Sequence, residues 1–227
     1  MSDRTVLARA VAGCVTLLAS LAHVFFFTAG SLHVWRAWLY LAAFAACVVF
    51  ITADLALRDP ALLERRVAAG PVAERESGQR VISAIASLFF LAMYFVAGLD
   101  ARFGWSAVPR ALSVAADGLV IAGFVIVWLT FRANSYTSAV IEVADAQRVV
   151  DRGPYAVVRH PMYSGAVLLV LATPVALGSW LAIPWAIALA FTIVVRLVGE
   201  ESYLGLHLED YDAYRTRVTH RLAPFLW

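Results

Sequence analysis

Apolar residues in this chain fall in long, nearly unbroken blocks at about 6 to 28, 35 to 57, 81 to 99 and 111 to 131. Each is close to the roughly 20 residues that a helix needs to cross the hydrocarbon core of a bilayer. A fifth apolar region, 161 to 198, is too long for one helix and is interrupted by Gly178 and Ser179, with Pro174 and Pro184 on either side. Such punctuation predicts two antiparallel helices joined by a very short turn. Alternating apolar and polar positions are nowhere sustained, so no strand is predicted. The expected fold is an all-α integral membrane protein with about six membrane helices, the last two a tight hairpin, and a further helix in the polar C-terminal tail.

Composition agrees with this pattern. The 227 residues are 62% hydrophobic and 15% charged, with a mean hydropathy of +0.78, outside the range of an ordinary soluble domain. A formal charge of +2 is too small to suggest a nucleic-acid partner. Every basic residue is arginine, and only Arg36, Arg102 and Arg110 fall in the loops that an inside N-terminus would leave outside. The positive-inside rule therefore predicts a multi-pass protein of the cytoplasmic membrane with both termini cytoplasmic. Cys14 and Cys47 lie alone within apolar blocks and read as packing residues. Residues 1–227 read as one membrane domain, with four N-terminal helices over 1–131 and a more polar half over 132–227. The mixed-charge loop 58 to 80 is expected to be a connector or a surface helix with Leu62, Leu63 and Val67 toward the headgroups.

Chemistry is expected in two polar stretches on the same side of the membrane. The first, GPYAVVRHPMYSG at 153 to 165, sets two prolines and two glycines around Arg159 and His160 just before an apolar run. Gly153-Pro154 forces a turn, and Pro161 holds His160 extended while suiting the first position of a helix. A helix start with unpaired N–H groups beside Arg159 can receive a carboxylate or phosphate, with Tyr163 on the first turn and Gly165 permitting close approach. The plainer alternative is that the prolines only start a helix and the arginine only obeys the positive-inside rule. The second stretch, 196 to 218, places Arg196 and Glu200 four residues apart on one helix face. Glu200 and Glu201 point about 100° apart, which leaves one carboxylate free to accept hydrogen bonds. A structural ion pair is the alternative there, and Tyr203, Tyr211 and Tyr214 also fit an interfacial aromatic belt. No metal is expected, because His160, His207 and His220 match no ligand spacing. Phosphate-loop, dinucleotide and serine-elbow signatures are absent.

GPYAVVRHPMYSG followed by RLVGEESYL, YDAYRTRV and RLAPF resembles the C-terminal half of the isoprenylcysteine carboxyl methyltransferase family and its bacterial relatives, with a looser likeness to phospholipid N-methyltransferases. It covers about residues 134 to 225, beginning with Asn134, Ser135 and Tyr136. The resemblance implies S-adenosylmethionine as methyl donor, with S-adenosylhomocysteine as product, bound between the RHPMY entrance and the C-terminal helix. It assigns donor contacts to His160, Tyr163, Glu200 and Glu201, and by extension to Tyr155, Val158, Arg159, Pro161 and Gly165 of the same stretch and to Tyr211. Arg196, with Glu200 beside it, takes the place of the residues acting on the methyl-accepting group. Ala156-Val157-Val158 departs from the more polar or aromatic run of the relatives.

The leading expectation is a membrane methyltransferase acting on a carboxylate of a lipophilic or prenylated small-molecule acceptor that arrives among membrane lipids through the bilayer. Alternatives are a phospholipid N-methyltransferase, a thiol S-methyltransferase, an NADPH-dependent enzyme of the sterol-reductase kind, and a non-enzymatic membrane protein.

Overall fold

The computed structural model describes residues 3–67, 77–137, 147–225 and 227. The middle of the 58 to 80 loop and part of the 132 to 160 segment lie outside these residues. Among them are eight α-helices and no strand: α1 (Asp3–Ala29), α2 (Trp35–Arg58), α3 (Pro60–Val67), α4 (Ser77–Phe103), α5 (Arg110–Ala133), α6 (Pro161–Leu177), α7 (Ile183–His207) and α8 (Tyr211–Arg217). Five of them, α1, α2, α4, α5 and α7, are long and apolar enough to cross a membrane. At 1.5 Å per residue they span about 36 to 41 Å. The sixth expected segment, α6, is equally apolar but has 17 residues, about 26 Å, slightly less than a ~30 Å hydrocarbon core.

The α6–α7 hairpin turns where the glycine and prolines predict. Gly178 takes a left-handed conformation (φ 83°), and Ser179 N–H reaches back 2.8 Å to the Pro174 carbonyl. This capping satisfies carbonyls that the end of α6 would otherwise leave exposed. Pro174 is accommodated inside α6, whereas Pro184 sits in the first turn of α7, where its missing N–H costs no helical bond.

The most extensive helix pair is α5 with α6. Its closeness depends on two glycines: a Cβ on Gly165 would lie 2.5 Å from the Gly123 carbonyl oxygen, and one on Gly123 would lie 2.7 Å from that of Gly165. Backbones thus meet directly, which brings the polar start of α6 against the α5 scaffold. The central core packs Leu21 and Phe25 of α1, Tyr40 and Phe44 of α2, Met93 and Tyr94 of α4, Val120 of α5 and Leu169 of α6.

α3 corrects one expectation. It is a helix beside the bundle, but Leu62 and Leu63 are buried among Val6, Ala10, Ile51, Leu55 and Phe131 instead of facing headgroups. Asp59 starts it by accepting a 2.9 Å bond from the Leu62 N–H, the usual role of a capping aspartate. Buried Leu62 and Leu63 fix the rotation of α3, and with it the direction of its arginines.

Candidate functional site

The ends of α3, α5 and α7, the start of α6, and α8 surround a cavity of about 430 Å³. That lies within the usual range for small-molecule sites. Its deep part is lined by Phe44, Phe90, Phe124, Leu169 and Ile193 from five different helices, with Phe44 and Phe124 edge to face at 4.9 Å. Toward the bundle end the lining becomes polar, with Arg66, Asn134, Tyr155, Arg159, His160, Tyr163, Arg196, Glu200 and Tyr211. One space is therefore apolar where it enters the membrane helices and charged where it leaves them.

Sequence neighbours Glu200 and Glu201 do different work. Glu201 faces away from the cavity and is buried, with Oε1 accepting from Arg159 Nε at 2.6 Å and Oε2 from Arg221 Nε at 2.7 Å. His160 Nε2 lies 3.2 Å from the same Oε1, a contact that calls for the proton on Nε2. Arg159 also donates to the carbonyls of Val218 and Thr219. Backbone bonds from Arg159 N to His220 O and from His160 N to Arg221 O complete the attachment. A fully partnered carboxylate of this kind ties RHPMY, α7 and the C-terminal tail into one frame. Glu200 instead lines the cavity and accepts a short hydrogen bond from the Tyr163 hydroxyl. Arg196, one turn earlier on α7, also lines it and donates to Ser83 Oγ of α4 at 2.9 Å.

Tyrosines form much of the polar wall. Tyr155, in the 3-10 turn Gly153–Ala156, accepts from Asn134 Nδ2 at 3.1 Å, and its carbonyl accepts from the Tyr214 hydroxyl at 2.8 Å. Burial pushes the phenols of Tyr155, Tyr211 and Tyr214 up from their ordinary value, so they act here as hydroxyl groups and not as bases. Tyr211 and Tyr214 are buried and do not form an exposed belt. The Tyr211 hydroxyl lines the cavity yet has no hydrogen-bond partner among the described residues. A buried hydroxyl left without a partner is costly, so it fits a ligand that completes the bond.

Of the residues singled out in sequence, Tyr155, Arg159, His160, Tyr163, Arg196, Glu200 and Tyr211 all line this cavity, whereas Val158, Pro161, Gly165 and Glu201 do not. Pro161 is the first residue of α6 and Gly165 meets Gly123. The close approach at Gly165 is therefore to a helix. His160, His207 and His220 do not converge: His160 meets Glu201, His207 stacks on Tyr203 and His220 lies against Phe225. Among the described residues no metal-binding group is found. Sequence reasoning missed Arg66 and the aromatic floor. The available signal for Arg66 was its place one helical turn after Leu62 and Leu63, readable only once their burial sets the rotation of α3.

Residues 112–209 match the family described as phospholipid methyltransferase. A solved structure of a eukaryotic intramembrane Ras methyltransferase, an isoprenylcysteine carboxyl methyltransferase, has the same fold, with 20% identity and a TM-score of 0.56 over 96% of this chain and 77% of that one. Among curated proteins none matches significantly.

Proposed function

We propose that this protein is a membrane methyltransferase of the isoprenylcysteine carboxyl and phospholipid type, a reading supported by the match and the shared fold, and that it transfers a methyl group from S-adenosylmethionine to the carboxylate of a lipophilic acceptor. The carrying observation is one continuous cavity that joins an aromatic floor among membrane helices to a wall bearing Glu200, Arg196 and the Tyr211 hydroxyl, which has no hydrogen-bond partner among the described residues. Glu200 and Tyr211 offer an acceptor and a hydroxyl to the amine, ribose or carboxylate of the donor. Tyr155, His160 and Tyr163 shape the same wall. When bound, the donor supplies an electrophilic methyl group on a sulfonium.

The protein's own contribution is positioning and exclusion of water. A carboxylate acceptor is already ionised at neutral pH, so no proton must be removed. This suits a wall whose phenols are pushed up by burial and which holds only Glu200 and His160 as other bases among the described lining residues. Arg196 can hold the carboxylate through two N–H groups and aim one oxygen. The apolar part of the acceptor lies against Phe44, Phe90 and Phe124, reached laterally from the bilayer. In this reading the cavity mouth and both termini face the cytoplasm, from which the soluble donor enters.

The family match at 112–209 also supports an amine acceptor on a phospholipid. Calorimetric titration of the detergent-solubilised protein with S-adenosylhomocysteine, and in parallel with NADPH, tests the donor. Saturable binding of the former alone is expected, and binding of NADPH alone would move the protein to the reductases. Base lability of the methylated product then separates an ester from an amine or a thioether.

A further inference from the structure

Behind the aromatic floor of the cavity lies a layer of buried hydroxyls. Phe44 of α2 and Phe90 of α4 line the cavity, and each packs on a tyrosine one helical turn farther from the polar wall. Phe44 meets Tyr40 with ring centroids 5.7 Å apart, and Phe90 meets Tyr94 edge to face at 5.1 Å. On α6, Thr173 follows the lining residue Leu169 by one turn. Tyr40, Tyr94 and Thr173 are fully buried and do not themselves line the cavity. Three helices thus place a hydroxyl at the same step beyond the floor.

These hydroxyls are joined across the bundle. Thr173 Oγ1 donates to the Leu169 carbonyl at 2.9 Å, which commits its proton. Tyr40 therefore donates to Thr173 Oγ1, at 3.2 Å, and Tyr94 donates to the Tyr40 hydroxyl. Every hydroxyl proton in the layer has an acceptor. Moving either tyrosine ring aside would strand buried polar groups, whereas the phenylalanine rings in front of them can shift without breaking a hydrogen bond. The floor can yield to a ligand, and the layer behind it holds its place.

We propose that the Tyr40–Tyr94–Thr173 layer is the end wall that fixes how long the acceptor's apolar chain can be. The assignment rests on the methyltransferase reading and deepens it: the tip of the chain is enclosed by the protein instead of trailing into the bilayer. Along α6 the layer stands ten residues beyond Tyr163, which donates to Glu200 in the polar wall, a rise of about 15 Å. An extended chain advances about 1.2 Å per bond, so roughly a dozen bonds fit between the charged wall and the layer. Such a space suits one chain of bounded length. Longer chains are rejected because a methylene pressed against a braced wall overpacks it.

The test titrates the full chain, saturated with S-adenosylhomocysteine, with S-alkyl derivatives of N-acetylcysteine whose straight chains lengthen one methylene at a time. In wild type each methylene should raise affinity by up to about fourfold until the chain holds roughly a dozen carbons, and raise it no further beyond that break. Tyr94→Ala should move the break outward by about four methylenes, the length of one helical turn. Tyr94→Leu should move it by fewer, and it decides the matter where Tyr94→Ala does not bind S-adenosylhomocysteine. Tyr94→Phe keeps the ring and should leave the break in place while lowering the thermal unfolding temperature. Because the layer is remote from the polar wall, S-adenosylhomocysteine affinity should stay within about twofold of wild type in each folded variant. A wild-type affinity that climbs without a break, in protein that binds S-adenosylhomocysteine, overturns this inference alone. So does a break that stays put in folded Tyr94→Ala and Tyr94→Leu, or one that Tyr94→Phe shifts as far as they do, which would mean a general loosening of the core. If wild type itself binds no S-adenosylhomocysteine, the methyltransferase reading falls, and this inference with it.

Discussion

Both ends of the helical bundle carry arginine, carboxylate and serine around tight turns, and the cavity described above lies at one of them. At the end formed by the turns after α1, α4 and α6, Asp100 is buried and accepts from Ser106 N–H at 2.7 Å and from the hydroxyls of Ser106 and Ser179. Arg36 donates to the Val108 carbonyl and to Ser113 Oγ, and its side chain packs against Gly178. These groups answer one another, and none of them lines the cavity. At the opposite end Glu201 does the same structural work with Arg159, His160 and Arg221. Above that frame lies the Tyr211 hydroxyl, which lines the cavity and has no hydrogen-bond partner among the described residues. The two ends thus differ in where their polar groups point: those around Asp100 and Arg36 bond to neighbouring turns, whereas Glu200 and Tyr211 face a cavity.

Four substitutions test this division, in order of their effect on donor binding. Glu201→Ala should have the largest. Removing it leaves Arg159 buried without its carboxylate, and breaking a buried ion pair from one side costs about 3–5 kcal/mol. Thermal unfolding of the solubilised protein should reveal that loss, with S-adenosylhomocysteine binding abolished, although Glu201 does not line the cavity. Normal donor affinity in a folded Glu201→Ala protein would mean that the frame is not what holds the site.

Glu200→Gln should act oppositely in kind: stability nearly unchanged, donor affinity lowered about tenfold, which is about 1.4 kcal/mol. Its partner Tyr163 keeps an amide oxygen to donate to, so what is lost is charge. Equal destabilisation in Glu200→Gln and Glu201→Ala would erase the distinction between the two glutamates. Arg196→Ala belongs beside it, with turnover expected to fall more than donor affinity, as single-turnover rates and titration together would show.

The helices were readable because an apolar block of 20 residues permits little besides a membrane helix. The hairpin was readable from Gly178, Ser179 and the two prolines, whose backbone restrictions act locally. The list of polar candidates was also largely legible, since seven of the eleven residues named from the two stretches come to line one cavity. What escaped depends on long-range packing. Glu200 and Glu201 are alike in sequence, and only the path of the C-terminal tail past His160 decides which is buried. Gly165 could equally have admitted a ligand, and Gly123, 42 residues away, is what it meets. Arg66 points into the cavity only because Leu62 and Leu63 are buried against α1, α2 and Phe131, a fact about four elements that no local pattern contains.

The smallest effect at the site should come from Asp100→Asn, and it is the sharpest control for the comparison. Asp100 takes three hydrogen bonds, two from Ser106 in the loop after α4 and one from Ser179 in the α6–α7 turn. The amide retains one acceptor oxygen but turns its nitrogen toward a donor, so at least one bond is lost and the others weaken. A cost of about 1–3 kcal/mol in stability is expected. Because this staple and the cavity stand at opposite ends of helices some 36 Å long, S-adenosylhomocysteine affinity should remain at the wild-type value well below the unfolding transition. Thermal unfolding and titration on the same sample check both halves. A fall in donor affinity comparable to that of Glu200→Gln would show that the α6–α7 hairpin transmits changes along its length, and that the two ends of the bundle are one coupled device instead of a staple and a site.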